Sequence, residues 1–130
     1  MEKLSRIMLG EKTFPIKIDL NVLEKIQEEY GSVSEFERKL LGLEPARDDG
    51  GRVIYGEDGR PVMNSVEPSI RAINTVLPLM VNEGMAIEAE ETGGGWKPVS
   101  DLWVSANCSI AFESLAQMIH QEFSRCFEKK

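Results

Sequence analysis

The chain has 130 residues, of which 42% are hydrophobic and 28% charged, and its formal net charge is −7 at pH 7. This length is that of one ordinary domain, and it is sufficient to bury a hydrophobic core. The negative charge argues against nucleic acid or an anionic membrane as the main partner, because both would repel the chain.

We therefore expect a single domain over residues 1–130 that binds neither nucleic acid nor a membrane. The sequence has no apolar run near the roughly 18 residues that a membrane span needs. Its first residues, MEKLSRIMLGEK, lack the apolar core of a signal peptide. These features predict a cytoplasmic protein.

The first predicted element is an antiparallel β-hairpin. Phe14, Ile16 and Ile18 alternate with polar or conformationally restricted residues, which is the pattern of a half-buried strand. The preceding segment, Lys3–Leu9, supplies a partner strand for 14–19. We expect a connection of about four residues, Gly10–Thr13, which is within the usual hairpin range.

Two helices are predicted to follow the hairpin. Asp19 is placed to cap the first helix and Gly31 to end it. The apolar or semi-polar stripe of this helix is Leu20, Leu23, Gln27 and Tyr30, with Ile26 beside it. Ser32 and Glu35 form a capping box for the second helix, which Gly42 ends. Its apolar positions are Val33, Phe36, Leu40 and Leu41.

The segment 44–66 is rich in glycine, proline and acidic residues. It predicts either a mobile loop or a small exposed hairpin, which leaves one domain and returns to it. We find no internal repeat in the chain.

The third predicted helix runs from Pro68 to Glu83, with a kink around 74–78 caused by Pro78 and an end at Gly84. The residues 85–91 add one or two more turns. Ser100 caps a short helix over 101–105, and either Asn107 or Ser109 caps the last one.

The last helix has an apolar stripe, widened by Ala116, Met118 and Phe127. The stripe consists of Phe112, Leu115, Ile119, Phe123 and Cys126. Lys129 and Lys130 are expected at its C-terminus, where positive charge is favourable. The pattern as a whole predicts an α+β fold that is mainly α-helical, with a small N-terminal antiparallel β-hairpin followed by about four or five helices.

The residues that carry chemistry do not form a catalytic pattern. His120 is the only histidine, and Cys108 and Cys126 have neither a CxxC nor a zinc-site spacing. We interpret His120 as a structural histidine and both cysteines as reduced thiols in or near the core. The glycine-rich segments lack phosphate-loop signatures. We therefore expect no catalytic, cofactor-binding or metal-binding residues, no cofactor and no enzymatic activity.

The third and last helices carry more apolar residues than one buried face requires. This excess has two interpretations: both helices are core, or part of the excess forms a groove for a partner helix. Under the second interpretation, the candidate partner-binding residues are Leu77, Met80, Val81, Met85, Phe123 and Phe127.

Three segments together resemble the small tail assembly chaperones of long-tailed phages and prophages of Gram-positive hosts. They are IDLNVLEKIQEEYGSVSEF, SVEPSIRAINTVLPLMVNEGMAIE and SIAFESLAQMIHQEFSRCFEKK, of which the first is the most specific. The resemblance covers most of the chain apart from 44–64, and none of it is a catalytic motif.

The resemblance implies a non-enzymatic protein that binds the tape measure protein and keeps it soluble during assembly of the tail tube. The major tail tube protein is a possible second partner, and self-association is possible. One alternative is a structural tail or head–tail joining protein that stays in the particle, for which 44–66 would be an assembly arm. Another is an antitoxin-like binder of a basic protein, favoured only by the acidic charge.

Overall fold

The computed structural model describes residues 3–128 and confirms the predicted α+β class. An N-terminal β-hairpin precedes five helices, and a second small β structure separates the second helix from the third. The elements are β1 (Ser5–Leu9), β2 (Lys12–Ile16), α1 (Leu20–Tyr30), α2 (Val33–Leu41), β3 (Leu43–Pro45), β4 (Met63–Ser65), α3 (Ile70–Thr92), α4 (Asp101–Asn107) and α5 (Phe112–Arg125).

The N-terminal hairpin is confirmed, but its connection is shorter than the four residues expected. The strands are antiparallel and their register continues to the pair Leu9↔Lys12, which leaves only Gly10 and Glu11 in the turn. Gly10 has φ +63, a conformation that glycine adopts without steric cost and that tight hairpin turns require. Its N–H also donates to the carbonyl of Asn107 at 2.8 Å, which fixes the turn on the body of the protein.

The caps of α1 and α2 lie where the sequence places them. The Asp19 carboxylate accepts the N–H groups of Asn21 and Val22, and Gly31 ends α1. The Ser32 hydroxyl accepts the Glu35 N–H, and Gly42 ends α2 with φ +72.

The buried face of α1 differs from the predicted stripe. Val22 and Ile26 point into the core, whereas Leu20 is 82% exposed. The predicted stripe is therefore correct only in part: Ile26 is buried and Leu23 and Tyr30 pack against the core, whereas Leu20 faces solvent. In α2 the buried residues are Phe36 and Leu40, as predicted, whereas Leu41 is partly exposed.

The largest departure from the sequence prediction is the length of α3. The helix starts after the Ser69 cap, continues through Pro78 and Gly84, and ends at Gly93. Pro68 precedes the cap and is not in the first turn. Gly84 therefore does not close the helix, because its role is in tertiary packing.

At Gly84 the helix lies against the backbone of β2. A Cβ atom there would lie 2.3 Å from the carbonyl oxygen of Pro15, closer than real Cβ contacts allow. Just beyond the strand, the Lys17 N–H donates to the Met80 carbonyl at 3.1 Å. Helix α3 thus covers the edge of β2 that does not pair with β1, which protects an edge strand from pairing with other chains.

The start of α4 is confirmed, since the Ser100 hydroxyl accepts the Trp103 N–H. The predicted cap of α5 was wrong: Ala111 precedes this helix and makes no side-chain capping bond, and the Asn107 side chain instead donates to the Trp103 carbonyl. Lys129 and Lys130 lie outside the described residues.

The hydrophobic core lies between the hairpin and the helices, with α3 at its centre. Helix α3 contacts β2 and the other four helices, so apolar residues occupy nearly its whole circumference. The buried residues of α5 are Leu115, Ala116, Ile119, Glu122 and Phe123. The Phe123 ring packs on Phe36, with ring centroids 5.8 Å apart, and joins α5 to α2.

Residues 43–66 form a folded β structure, which we name the three-armed module. One arm is the antiparallel pair β3–β4, which leads back to the body of the protein. The other two arms are short hairpins, with bridges Arg47↔Val53 and Tyr55↔Pro61. The arms meet at Ala46, Ile54 and Val62.

The backbone hydrogen bonds at this meeting point form a closed cycle. Ala46 N–H donates to the Val62 carbonyl at 2.8 Å, Val62 N–H to Ile54 at 2.9 Å, and Ile54 N–H to Ala46 at 2.9 Å. The three residues are spaced eight apart in the sequence, so the centre of the module has approximate threefold symmetry.

The two hairpin arms are copies of one turn, which reveals an internal repeat that the sequence reading missed. The N–H of Asp48 donates to the Arg52 carbonyl, and eight residues later Gly56 donates to Arg60. The glycines that precede these arginines have φ +79 and +78. The two copies of the repeat are short. They share mainly a Gly-Arg pair, at 51–52 and 59–60, followed by two apolar or proline residues, and so small a similarity is not apparent from the sequence.

Candidate partner-binding surface

Most of the predicted partner-binding residues are core residues in the folded protein. Leu77, Met80, Val81 and Phe123 are at most 3% exposed. The excess of apolar residues on α3 is explained by its central position, so we reassign these four residues from the partner surface to the core. A partner could reach them only if the protein unfolded.

The other two predicted residues differ in exposure. Met85 is half-buried and packs against the core. Phe127 follows α5 and is 59% exposed, with its ring centroid 5.2 Å from that of Phe123. Phe127 therefore remains accessible to a partner.

A different apolar surface lies between α1, α3 and α4. An open groove of about 930 Å³ separates these helices, and we name it the α4 groove. Three apolar side chains line it: Leu102 is 80% exposed, Ile70 is 58% exposed and Leu79 is half-buried. Large apolar side chains that face solvent together in a concave site are typical of surfaces that bind a partner.

The polar lining of the groove is more acidic than basic. Glu28, Glu29 and Asp101 contribute carboxylates, and Lys25 and Arg71 contribute the positive groups. Arg71 already pairs with Glu29 at 3.3 Å. The groove therefore combines apolar side chains with carboxylates that are available to a positively charged partner.

Local interactions hold α4 in the position that exposes Leu102. The Asn82 side chain donates to the Val99 carbonyl at 3.1 Å and accepts its N–H at 2.8 Å, so it binds the segment before α4 as a neighbouring strand would. Val104 is buried, and the Trp103 ring packs edge-on against Phe14 at 5.5 Å. With one face anchored in this way, the remaining face of α4 points into the groove.

The histidine and the cysteines have structural contacts. His120 Nε2 lies 2.9 Å from Glu37 Oε2, and its ring stacks on Phe123. The Cys126 thiol donates to the Ile18 carbonyl at 2.7 Å, and burial raises its pKa, so little thiolate forms at neutral pH. Within residues 3–128, no group of three or more His, Cys, Asp or Glu side chains is placed to hold a metal ion.

A pair of carboxyl groups joins α3 to the start of α1. A hydrogen bond with the Asp19 side chain raises the pKa of Glu83, and burial raises it further. The Asn21 side chain also donates to Glu83 Oε2 at 2.9 Å. Because the folded state binds this proton more tightly than the unfolded state, the stability from Glu83 is fully present below the ordinary glutamate pKa and is lost as pH rises through the raised one.

We therefore expect Glu83→Gln to stabilise the protein at neutral pH. The neutral amide keeps the hydrogen bond from Asn21, donates to Asp19 and removes the repulsion between two carboxylates. The gain should be only a few tenths of a kcal/mol, because Glu83 is partly exposed and water screens the repulsion, and it should shrink as pH falls towards about 4.3. Urea denaturation at a series of pH values measures it. Glu24→Gln, on the exposed face of α1, is the control, and an equal gain there would contradict the carboxyl-pair explanation.

The sequence reading missed the residues of the groove. Leu102 was predicted as part of a short helix, but nothing in a seven-residue helix indicates which side is covered. Ile70 is the first residue of α3 and is 58% exposed, although its apolar side chain alone would favour the core. Exposure at both positions depends on tertiary packing.

Comparison with known proteins does not identify a family. The sequence matches no protein-family model and no curated protein, and no solved structure matches the fold. None of the helices in the described range combines the length and apolar content needed to cross a membrane.

Proposed function

We propose that this protein is a non-enzymatic tail assembly chaperone of a long-tailed phage or prophage. It binds the tape measure protein and keeps it soluble in the host cytoplasm while the tail tube is assembled. The proposal joins the sequence resemblance to one structural observation, which is the α4 groove with its exposed Leu102 and Ile70.

The groove suits the client that such a chaperone protects. A long helical protein exposes apolar stripes before it is enclosed, and an apolar groove covers a stripe by helix-in-groove packing. The net charge of −7 keeps the complex soluble, because like-charged copies repel one another. Weak binding at each site is sufficient when many copies bind along one client.

Substitution of Leu102 tests the proposal. Wild-type protein co-expressed with the tape measure protein of the same phage should keep that protein soluble and co-purify with it. Leu102→Asp should reduce the amount of complex at least about tenfold, because burying a leucine contributes about 1.5–3 kcal/mol and an aspartate in its place would be buried without a partner.

The matched control is Leu20→Asp. Leu20 and Leu102 are 82% and 80% exposed, but Leu20 lies outside the groove. The control should therefore bind as the wild type does. Aggregation of the tape measure protein in the presence of wild-type protein, or equal binding by the two variants, would contradict the proposal.

The three-armed module favours a second candidate function, a structural tail or head–tail joining protein that stays in the particle. None of the residues 43–66 belongs to the main core cluster. An assembly arm would have this property, because its side chains have to remain available to another subunit. Mass spectrometry of purified virions separates the two functions: a structural protein is retained in the particle, and a chaperone is absent from it.

A further inference from the structure

Few side chains hold the helix α4 to the rest of the protein. Of its seven residues, Asp101–Asn107, only Val104 is buried, and the others are exposed or half-buried. Among the described helices, α4 packs mainly against α3. A helix of this length is not stable alone in water, so α4 remains helical only while these contacts hold it.

The connection before α4 leaves this helix free to move. Every residue of 91–98 is exposed, and the three consecutive glycines at 93–95 restrict the backbone least of all residues. From Gly94 to Pro98 the connection makes one hydrogen bond, which runs from the Gly94 N–H back to the Thr92 hydroxyl at 3.3 Å. Extended, these residues span about 20 Å, so α4 can leave α3 without straining the chain.

The polar anchor of α4 lies just before the helix. The Asn82 amide bonds both backbone groups of Val99, at 2.8 and 3.1 Å, and thereby holds the chain against α3 where α4 begins. Asn82 does not line the α4 groove, whereas Leu102 and Ser105 form its α4 wall. The wall therefore depends on an anchor that a partner in the groove does not touch.

We propose that α4 is a hinged wall of the groove: it undocks from α3 and unfolds locally while the rest of the protein stays folded, and Asn82 is the positioning residue that keeps it docked. Undocking removes Leu102 from the groove, so the groove has an assembled and a dismantled state. A partner that packs on Leu102 binds only the assembled state and stabilises it. The tape measure protein as that partner rests on the proposed function.

Hydrogen exchange of the purified protein, measured by mass spectrometry in low concentrations of urea, tests undocking without any partner. After correction for intrinsic rates, the amides of 103–107 should exchange at least about 100-fold faster than those at the centre of α3. Their rate should hardly depend on urea, because opening a small unit exposes little surface. If 103–107 exchange at the rate and with the urea dependence of α3, α4 opens only by global unfolding and the proposal is overturned.

Asn82→Ala tests the anchor, because it removes both hydrogen bonds to Val99. It should speed the exchange of 103–107 by about tenfold and leave α5 unchanged, and Asn82→Asp, which keeps only the acceptor for the Val99 N–H, should fall between. Fraying of α4 without undocking would not respond, since these bonds are to Val99 and not to the helix. Asn21→Ala removes a bond between α1 and α3 and is the control. Equal acceleration by the two alanine variants would overturn the role of Asn82.

Exchange in the complex with the tape measure protein tests the coupling of α4 to the groove. With free client at about ten times its Kd, the exchange of 103–107 should slow about tenfold, and Leu102→Asp should abolish this slowing. Unchanged exchange in a stable complex would overturn the coupling. Fast exchange of α4 in a protein that fails to protect the client would overturn the proposed function alone, and a working chaperone whose α4 opens only by global unfolding would overturn this inference alone.

Discussion

Gly84→Ala is expected to destabilise the protein by at least about 2 kcal/mol, although alanine is the better helix former by about 1 kcal/mol. The substitution is nevertheless destabilising, because a Cβ atom at this position would lie 2.3 Å from the Pro15 carbonyl oxygen and 2.8 Å from the Ile16 nitrogen. These neighbours are backbone atoms and cannot rotate away. Either α3 moves off β2 or the strand shifts in register.

Urea denaturation of the wild type and the variant, monitored by circular dichroism, measures the change in the free energy of unfolding. Gly95→Ala is the control, because a Cβ atom there meets no atom within 4 Å and its φ is not positive. That variant should remain within about 0.5 kcal/mol of the wild type. A Gly84→Ala variant as stable as the wild type would show that α3 and β2 do not approach as closely as described.

The same glycine illustrates what the sequence could and could not predict. The caps formed by Asp19, Ser32 and Ser100 were predicted correctly, because capping depends on residues only two or three positions apart. A glycine in a helical pattern fits two roles, namely a helix end and a close approach to another element. Only the position of β2, more than sixty residues earlier in the chain, distinguishes them.

The candidate site was less predictable than the fold. A sequence shows that α3 is apolar on more than one side, but it does not show how many elements surround the helix. Because β2 and four helices pack on it, residues such as Met80 and Val81 are core. The groove is lined instead by Ile70 and Leu102, which are 58% and 80% exposed.

In 44–66 the structure has the small hairpin that was one of the two predicted alternatives, with the bridge Tyr55↔Pro61, but the arrangement of three arms was not predicted, for a related reason. Its composition correctly suggested turns, but the cycle of hydrogen bonds among Ala46, Ile54 and Val62 joins residues whose side chains share only their apolar character. The recognisable part of the repeat is the Gly-Arg pair at 51–52 and at 59–60. Two copies of so short a pattern are apparent only when both turns have the same backbone geometry.

Met80→Asp is expected to abolish the native fold. The Met80 side chain has 0% exposure, so the aspartate would be an unpaired charge in the apolar core. Its cost of several kcal/mol is comparable to the whole stability of a typical domain, about 5–15 kcal/mol. Near-ultraviolet circular dichroism should lose its tertiary signal, and thermal melting should lose its cooperative transition.

Two variants distinguish loss of the fold from loss of a binding contact. Met80→Leu conserves volume and should cost less than about 1.5 kcal/mol. Phe127→Asp changes an exposed side chain and should leave the fold intact, so any effect that it has on client binding is an effect on the surface. If Met80→Asp instead folds with wild-type stability and fails only to bind the tape measure protein, Met80 belongs to the partner surface and its assignment to the core is wrong.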